Sequence, residues 1–250
     1  MMTHKIAQPA GHQLPGCHFG RVAFPVPWQI PGVAVFVCIL VLWIFSISLH
    51  EYAHARVALA GGDFTVRDKG YLEFNPLHYV DPVVSILLPV IMLLAGGIGL
   101  PGGAVWINRE LIRSKAWQCA VSLAGPASNL ALAILVAMLF RIGIIPMNME
   151  NTLSVTMAFF VYLQITCFIF NLLPLPGFDG MNALLPWLPL EIRETIMRLP
   201  PYTSMIVLLL LWQTHFASHA INVVAFIFLA IFGIDPELAF QGYSEFKFWH

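Results

Sequence analysis

Residues Ile47-Ser48-Leu49-His50-Glu51-Tyr52-Ala53-His54-Ala55-Arg56 put two histidines four apart, with an acid beside the first, inside an apolar run that begins near Val33. On a helix, positions four apart share a face, so His50 and His54 can reach one cation together. Two imidazoles at that spacing suit zinc, and the adjoining Glu51 suits a general base toward metal-activated water. The blander reading is a chance match on an amphipathic helix. The setting argues against it: a charged side chain at bilayer depth costs on the order of 3 kcal/mol on insertion scales. His50, Glu51, His54 and Arg56 on one membrane-length helix therefore need a shared reason, and a metal site supplies one.

The apolar setting extends to the whole chain. Of its 250 residues 59% are hydrophobic and only 10% are charged, and mean hydropathy is +0.80. Soluble domains are nearer a quarter charged, so this composition is that of an all-α, multi-pass membrane protein. A formal net charge of -1 offers no basic patch, and no nucleic-acid partner is expected. Cys38, Cys119 and Cys167 lie in apolar runs and Cys17 in the polar N-terminal stretch, with no Cys-x-x-Cys. Packing as small hydrophobes is the expected role of the three. Residues 1–32 read as a polar tail without a signal peptide.

Along the chain, Val33 to about Ala60 reads as the first spanning helix, ended by Gly61-Gly62-Asp63. Thr65–Phe74, with Asp68-Lys69-Gly70 at its centre, reads as a β-hairpin, and Ala104–Ile107 as another short strand. Val83–Leu94 is apolar but short, and is bounded by Pro and Gly. Ala116–Phe140 and Leu153–Leu172 span, Trp187–Pro201 reads as a surface helix, and Tyr202–Phe232 is the last apolar run. The expectation is about four spanning helices, a re-entrant segment and short membrane-associated β elements.

A metal site needs a third protein ligand. Asp179 is the only acid between Glu150 and Glu191, and it follows the exit of the Leu153 helix. It can share a membrane face with His50 and His54 only if an even number of crossings separates the two exits. Val83–Leu94 falls short of the roughly 20 residues a spanning helix needs, so it is expected to enter and return on one side. Charge agrees. The ligand side then carries Arg67, Lys69, Arg109, Arg113, Lys115, Arg193 and Arg198, against Lys5, Arg21, Arg141 and Lys247 opposite. The positive-inside rule turns the ligand side to the cytoplasm.

The paired motifs resemble a known family. His50-Glu51-x-x-His54, followed by Asn171-x-x-Pro174-x-Pro176-x-x-Asp179-Gly180, is similar to the site-2 protease family of intramembrane zinc metalloproteases. The likeness takes in Asn75-Pro76-Leu77, Asp81-Pro82 and Leu123-Ala124-Gly125-Pro126-x-x-Asn129, and covers roughly Ser46 to Gly180. It implies one catalytic zinc held by His50, His54 and Asp179, Glu51 as base, and Asn171 positioning substrate or stabilising the transition state. It also implies membrane-protein substrates, a multi-pass place in a bacterial inner membrane, and a β element presenting substrate in extended form. The division expected is a tail at 1–32, a transmembrane metalloprotease domain at 33–232 and a tail at 233–250, without a PDZ-like insert or a nucleotide-sensing domain. Many relatives have a second glycine after the Asp-Gly pair; Met181 stands there in this chain.

Each residue also has a structural reading. Asp179 can cap a helix after the proline turn, and Asn171 can bond a carbonyl freed by Pro174. Asn129 with Gly125 reads as close helix packing, and His78 as a turn residue. His215 and His219 lack an adjoining acid and read as a polar stripe, and Arg56 can snorkel to the interface. Two other functions compete. A metal transporter would spread polar residues along several helices, whereas these cluster at one end. An inactive, partner-binding relative would not need the full set of ligands and base.

Overall fold

The computed structural model describes residues 30–73, 105–200 and 216–248, with the isolated positions 203 and 207. The re-entrant segment expected at Val83–Leu94, the Asn75 and Asp81 turns, His78, His215 and the N-terminal tail lie outside the described residues.

Among the described residues three helices are long and apolar enough to cross a membrane: α1 (Ile30–Gly61), α3 (Lys115–Arg141) and α4 (Thr152–Asn171). α1 is followed by one helical turn, α2 (Thr65–Asp68). After α4 come α5 (Asp179–Leu184), α6 (Leu190–Met197), α7 (Phe216–Phe232) and α8 (Pro236–Phe246). Of the last apolar run α7 and the positions 203 and 207 are described. Helix ends follow local chemistry. Ser114 caps α3 through its hydroxyl, and Asn151 caps α4 by accepting from the N–H groups of Leu153 and Ser154. Asp235 caps α8, with Pro236 in its first turn.

The core is a three-helix seam. α3 packs on α1 and on α4, burying Ile39, Trp43, Leu132, Val136, Phe159 and Phe160 among others. Burying such side chains fully is worth about 1.5–3 kcal/mol each where water is the alternative. Inside the bilayer close packing and polar contacts hold helices together instead. One such contact is buried: Ser46 Oγ of α1 donates to Gln164 Oε1 of α4 at 2.8 Å.

Where a hairpin is expected at Thr65–Phe74, Thr65–Asp68 is a helical turn instead, and Phe74 lies outside the described residues. The reason is Asp63, whose buried carboxylate accepts the Thr65 backbone N–H at 3.0 Å and its hydroxyl at 2.6 Å. That local bonding starts a turn where the alternation of side chains predicts a strand. Val105–Asn108 is not in a ladder either. Its N–H groups go to side chains, Val105 to Glu51 Oε2 at 3.0 Å and Asn108 to Asp63 Oδ2 at 2.7 Å. Among the described residues there is no strand.

The segment 233–250, expected as a tail, holds α8, which packs against α4 and α1. The Phe246 ring stands 5.2 Å from that of Phe36 and 5.5 Å from that of Phe159. The chain on both flanks of residues 74–104 sits at one end of the bundle. Arg113 N–H donates to the Gly61 carbonyl at 3.0 Å, and Lys69 Nζ to the Trp106 carbonyl at 3.1 Å.

Candidate metal centre

His50 and His54 project from one face of α1, and Asp179 reaches them from the start of α5, 129 residues further on than His50. Asp179 Oδ2 lies 3.2 Å from His50 Nε2 and 3.3 Å from His54 Nε2, and the two Nε2 atoms are 3.1 Å apart. Both histidines are buried and Asp179 nearly so.

The other ring nitrogens fix the tautomers. His54 Nδ1 lies 2.7 Å from the Val121 carbonyl, which can only accept, so Nδ1 carries the hydrogen and Nε2 presents a lone pair. His50 Nδ1 donates in the same way to Asn129 Oδ1 at 3.0 Å. Two lone pairs and a carboxylate oxygen thus converge on one point. A tetrahedral zinc with bonds of about 2.0–2.1 Å needs ligand atoms about 3.3 Å apart. The donor set fits that ion in chemistry and in spacing.

Backbone makes room for it. Gly125 of α3 faces the site, and a Cβ there would collide with Nε2 of both histidines. Pro126 follows, denying an N–H to the carbonyl of Ser122 and loosening the turn whose Val121 carbonyl takes the His54 proton. On the Asp179 side, α4 ends at Asn171, and Leu173 N–H takes the Phe170 carbonyl at 3.0 Å. Gly180 packs so tightly that a Cβ would meet the Leu172 carbonyl. Arg109 Nη1 donates to the Asn182 carbonyl at 3.2 Å and tethers α5 from its other side.

Glu51 is buried and shares a cavity with His50, and the Val105 N–H occupies its Oε2. Asn171 is buried outside the metal cluster and is not among the residues lining that cavity. Its Nδ2 has no partner among the described residues, so it does not bond a carbonyl freed by Pro174. Asp179 is not the cap of α5: that position is Phe178, and Asp179 lies in the first turn. Arg56 and His219 are exposed.

Spacing within α3 alone predicts close helix packing at Gly125 and Asn129. Gly125 is indeed a close approach, but to imidazoles, and Asn129 orients a ring. Their spacing of four, matching that of His50 and His54, was the available signal. Asn129→Ala is expected to weaken zinc binding by about 10- to 100-fold, the usual cost of losing a hydrogen bond behind a ligand. Competition against a chromophoric chelator measures it.

The chain is 36% identical over 217 residues to the "Putative zinc metalloprotease Rip2" of Mycolicibacterium smegmatis, covering 87% of this chain and 82% of that protein. The protein of the same name from Mycobacterium tuberculosis strain H37Rv is 36% identical over 215 residues, 86% and 82% of the two chains. The "Putative zinc metalloprotease YwhC" of Bacillus subtilis is 31% identical over 189 residues, 73% and 83%. No protein-family model matches the chain, and no solved structure matches it significantly. Likeness of this extent to proteins named zinc metalloproteases, in a chain whose described residues hold three membrane-length helices and a His-His-Asp cluster, makes it a member of the site-2 protease family of zinc metalloproteases.

Proposed function

We propose that this protein cleaves transmembrane or membrane-proximal segments of other membrane proteins, with one zinc held by His50, His54 and Asp179. The observation that carries the reading is the meeting of three donor atoms, 3.1–3.3 Å apart, two of them on a helix apolar enough to cross a bilayer. Inside a membrane water is scarce, and a helical substrate hides its own backbone. The chemistry a bound zinc supplies is Lewis acidity, which lowers the pKa of water toward about 7 and polarises a carbonyl.

The chain's own groups do the rest. Glu51 takes a proton from the attacking water and passes it to the leaving amine. The Val105 N–H on Oε2 fixes that carboxylate and leaves its other oxygen for the proton. Asn171 Nδ2, buried and without a partner among the described residues, donates to the developing oxyanion. The extended run 105–108 lies against Glu51, and an unwound substrate pairs along it by strand addition. With Arg67, Lys69, Arg109 and Arg113 at the ligand end, that end faces the cytoplasm of a bacterial inner membrane.

Comparing membranes from cells that carry wild type or Glu51→Gln tests this. A full-length membrane fragment is expected to accumulate only with Glu51→Gln, while zinc content stays at the wild-type level. Cleavage that continues with Glu51→Gln would overturn the mechanism.

A further inference from the structure

Beside the ligands, a cavity with room for about one water molecule opens between α1, α3 and α4, lined by Trp43, Ser46, Ile47, Asn129 and Cys167 together with His50 and Glu51. Trp43 lies seven residues before His50, about 10 Å further along α1 and away from the Gly61 end. Its indole N–H is buried and has no partner among the described residues. A buried tryptophan N–H normally finds one. Gln164 makes the same point from α4. Its amide is fully buried, one end bonds Ser46, and whichever way it is turned the other end stays unpaired. Gln164, Cys167 and Asn171, spaced three and four apart, form one stripe on α4. Trp43, Ser46 and His50, spaced alike, form the matching stripe on α1. The Ser46–Gln164 bond locks the two in register.

We infer that this cavity is a water site, held by the Trp43 N–H and by Ser46 Oγ as acceptor, that supplies the hydrolytic water to Glu51. The inference rests on the proposed hydrolysis. Each cleavage consumes one water: its oxygen ends in the new carboxyl group and a proton ends on the new amine. A substrate paired along residues 105–108 covers Glu51 from the Gly61 end, and the cavity lies on the other side of His50. Replacement water therefore stays within reach while the substrate end is closed. A buried donor left unpaired at the cavity wall is what such a resident water satisfies.

Radiolytic labelling tests the site directly. Zinc-loaded protein in micelles is pulsed with X-rays in 18O-water, and incorporated label is counted by mass spectrometry. After correction for intrinsic reactivity, Trp43 is expected to label several-fold faster than Phe159 and Phe160, which are equally buried but do not line the cavity. Equal labelling would overturn the water site. Trp43→Phe keeps most of the ring and removes the donor. It is expected to lower kcat about fivefold, the worth of one hydrogen bond, with KM and zinc content unchanged. An unchanged kcat would overturn the supply role, and so would a change in KM alone, which marks the cavity as a pocket for a substrate side chain. Labelling needs no turnover. A failure of the hydrolysis reading appears separately, as wild-type cleavage no faster than that of Glu51→Gln.

Discussion

Gly125→Ala is expected to strip the metal from this protein while leaving its helices formed. A methyl group at that position collides with Nε2 of both histidines, the atoms that face the ion. α3 cannot back away to make room. The Val121 carbonyl, one turn before Gly125, holds the His54 ring at 2.7 Å, and Asn129, one turn after it, holds the His50 ring at 3.0 Å. Moving α3 outward would break both bonds, and keeping it in place drives a carbon into the donor atoms. Overpacking of this kind costs about 1–3 kcal/mol when a core absorbs it. The site absorbs it by turning the imidazoles aside, which destroys the convergence. Zinc per chain, measured by plasma mass spectrometry after purification, should fall from about one to near zero, and far-ultraviolet circular dichroism should be unchanged. A variant that keeps stoichiometric zinc would mean that α3 does not wall the centre.

The pairing of His50 and His54 on one face of α1 was legible because helical spacing alone puts them together, whatever surrounds them. Asp179 was legible for a different reason: it is the sole acid in a long apolar stretch. Gly125 and Asn129 were seen and misread. Their roles depend on which helix α3 touches and at what depth, and a spacing within one helix cannot report its neighbour. The β elements failed at Asp63. Its carboxylate bonds the N–H groups of Thr65 and Asn108, tying down two segments that alternation assigns to strands. α8 was overlooked although its signals were present. Asp235-Pro236 is a helix start, and Leu238, Ala239, Gly242 and Phe246 mark one buried face at helical spacing. Its shortness and its place after the last apolar run made it read as a tail.

Asp179→Ala should lose both metal and cleavage, unlike Glu51→Gln, which loses cleavage alone. The carboxylate is the only donor that does not come from α1, and with it gone two imidazoles remain. Zinc affinity is expected to fall by more than the 10- to 100-fold that loss of a supporting hydrogen bond costs. The scaffold around residue 179 should survive. Gly180 stays packed against the Leu172 carbonyl, Arg109 still holds the Asn182 carbonyl, and α5 still rests on α3. Asp179→Asn separates charge from geometry, because it keeps an oxygen at the same reach and removes the negative charge. Affinity should therefore rank aspartate above asparagine above alanine in chelator competition, with thermal unfolding of the metal-free forms nearly equal. If alanine at 179 binds zinc as tightly as the wild type, the third ligand lies elsewhere in the chain. The approach of α5 to α1 would then serve packing and not the metal.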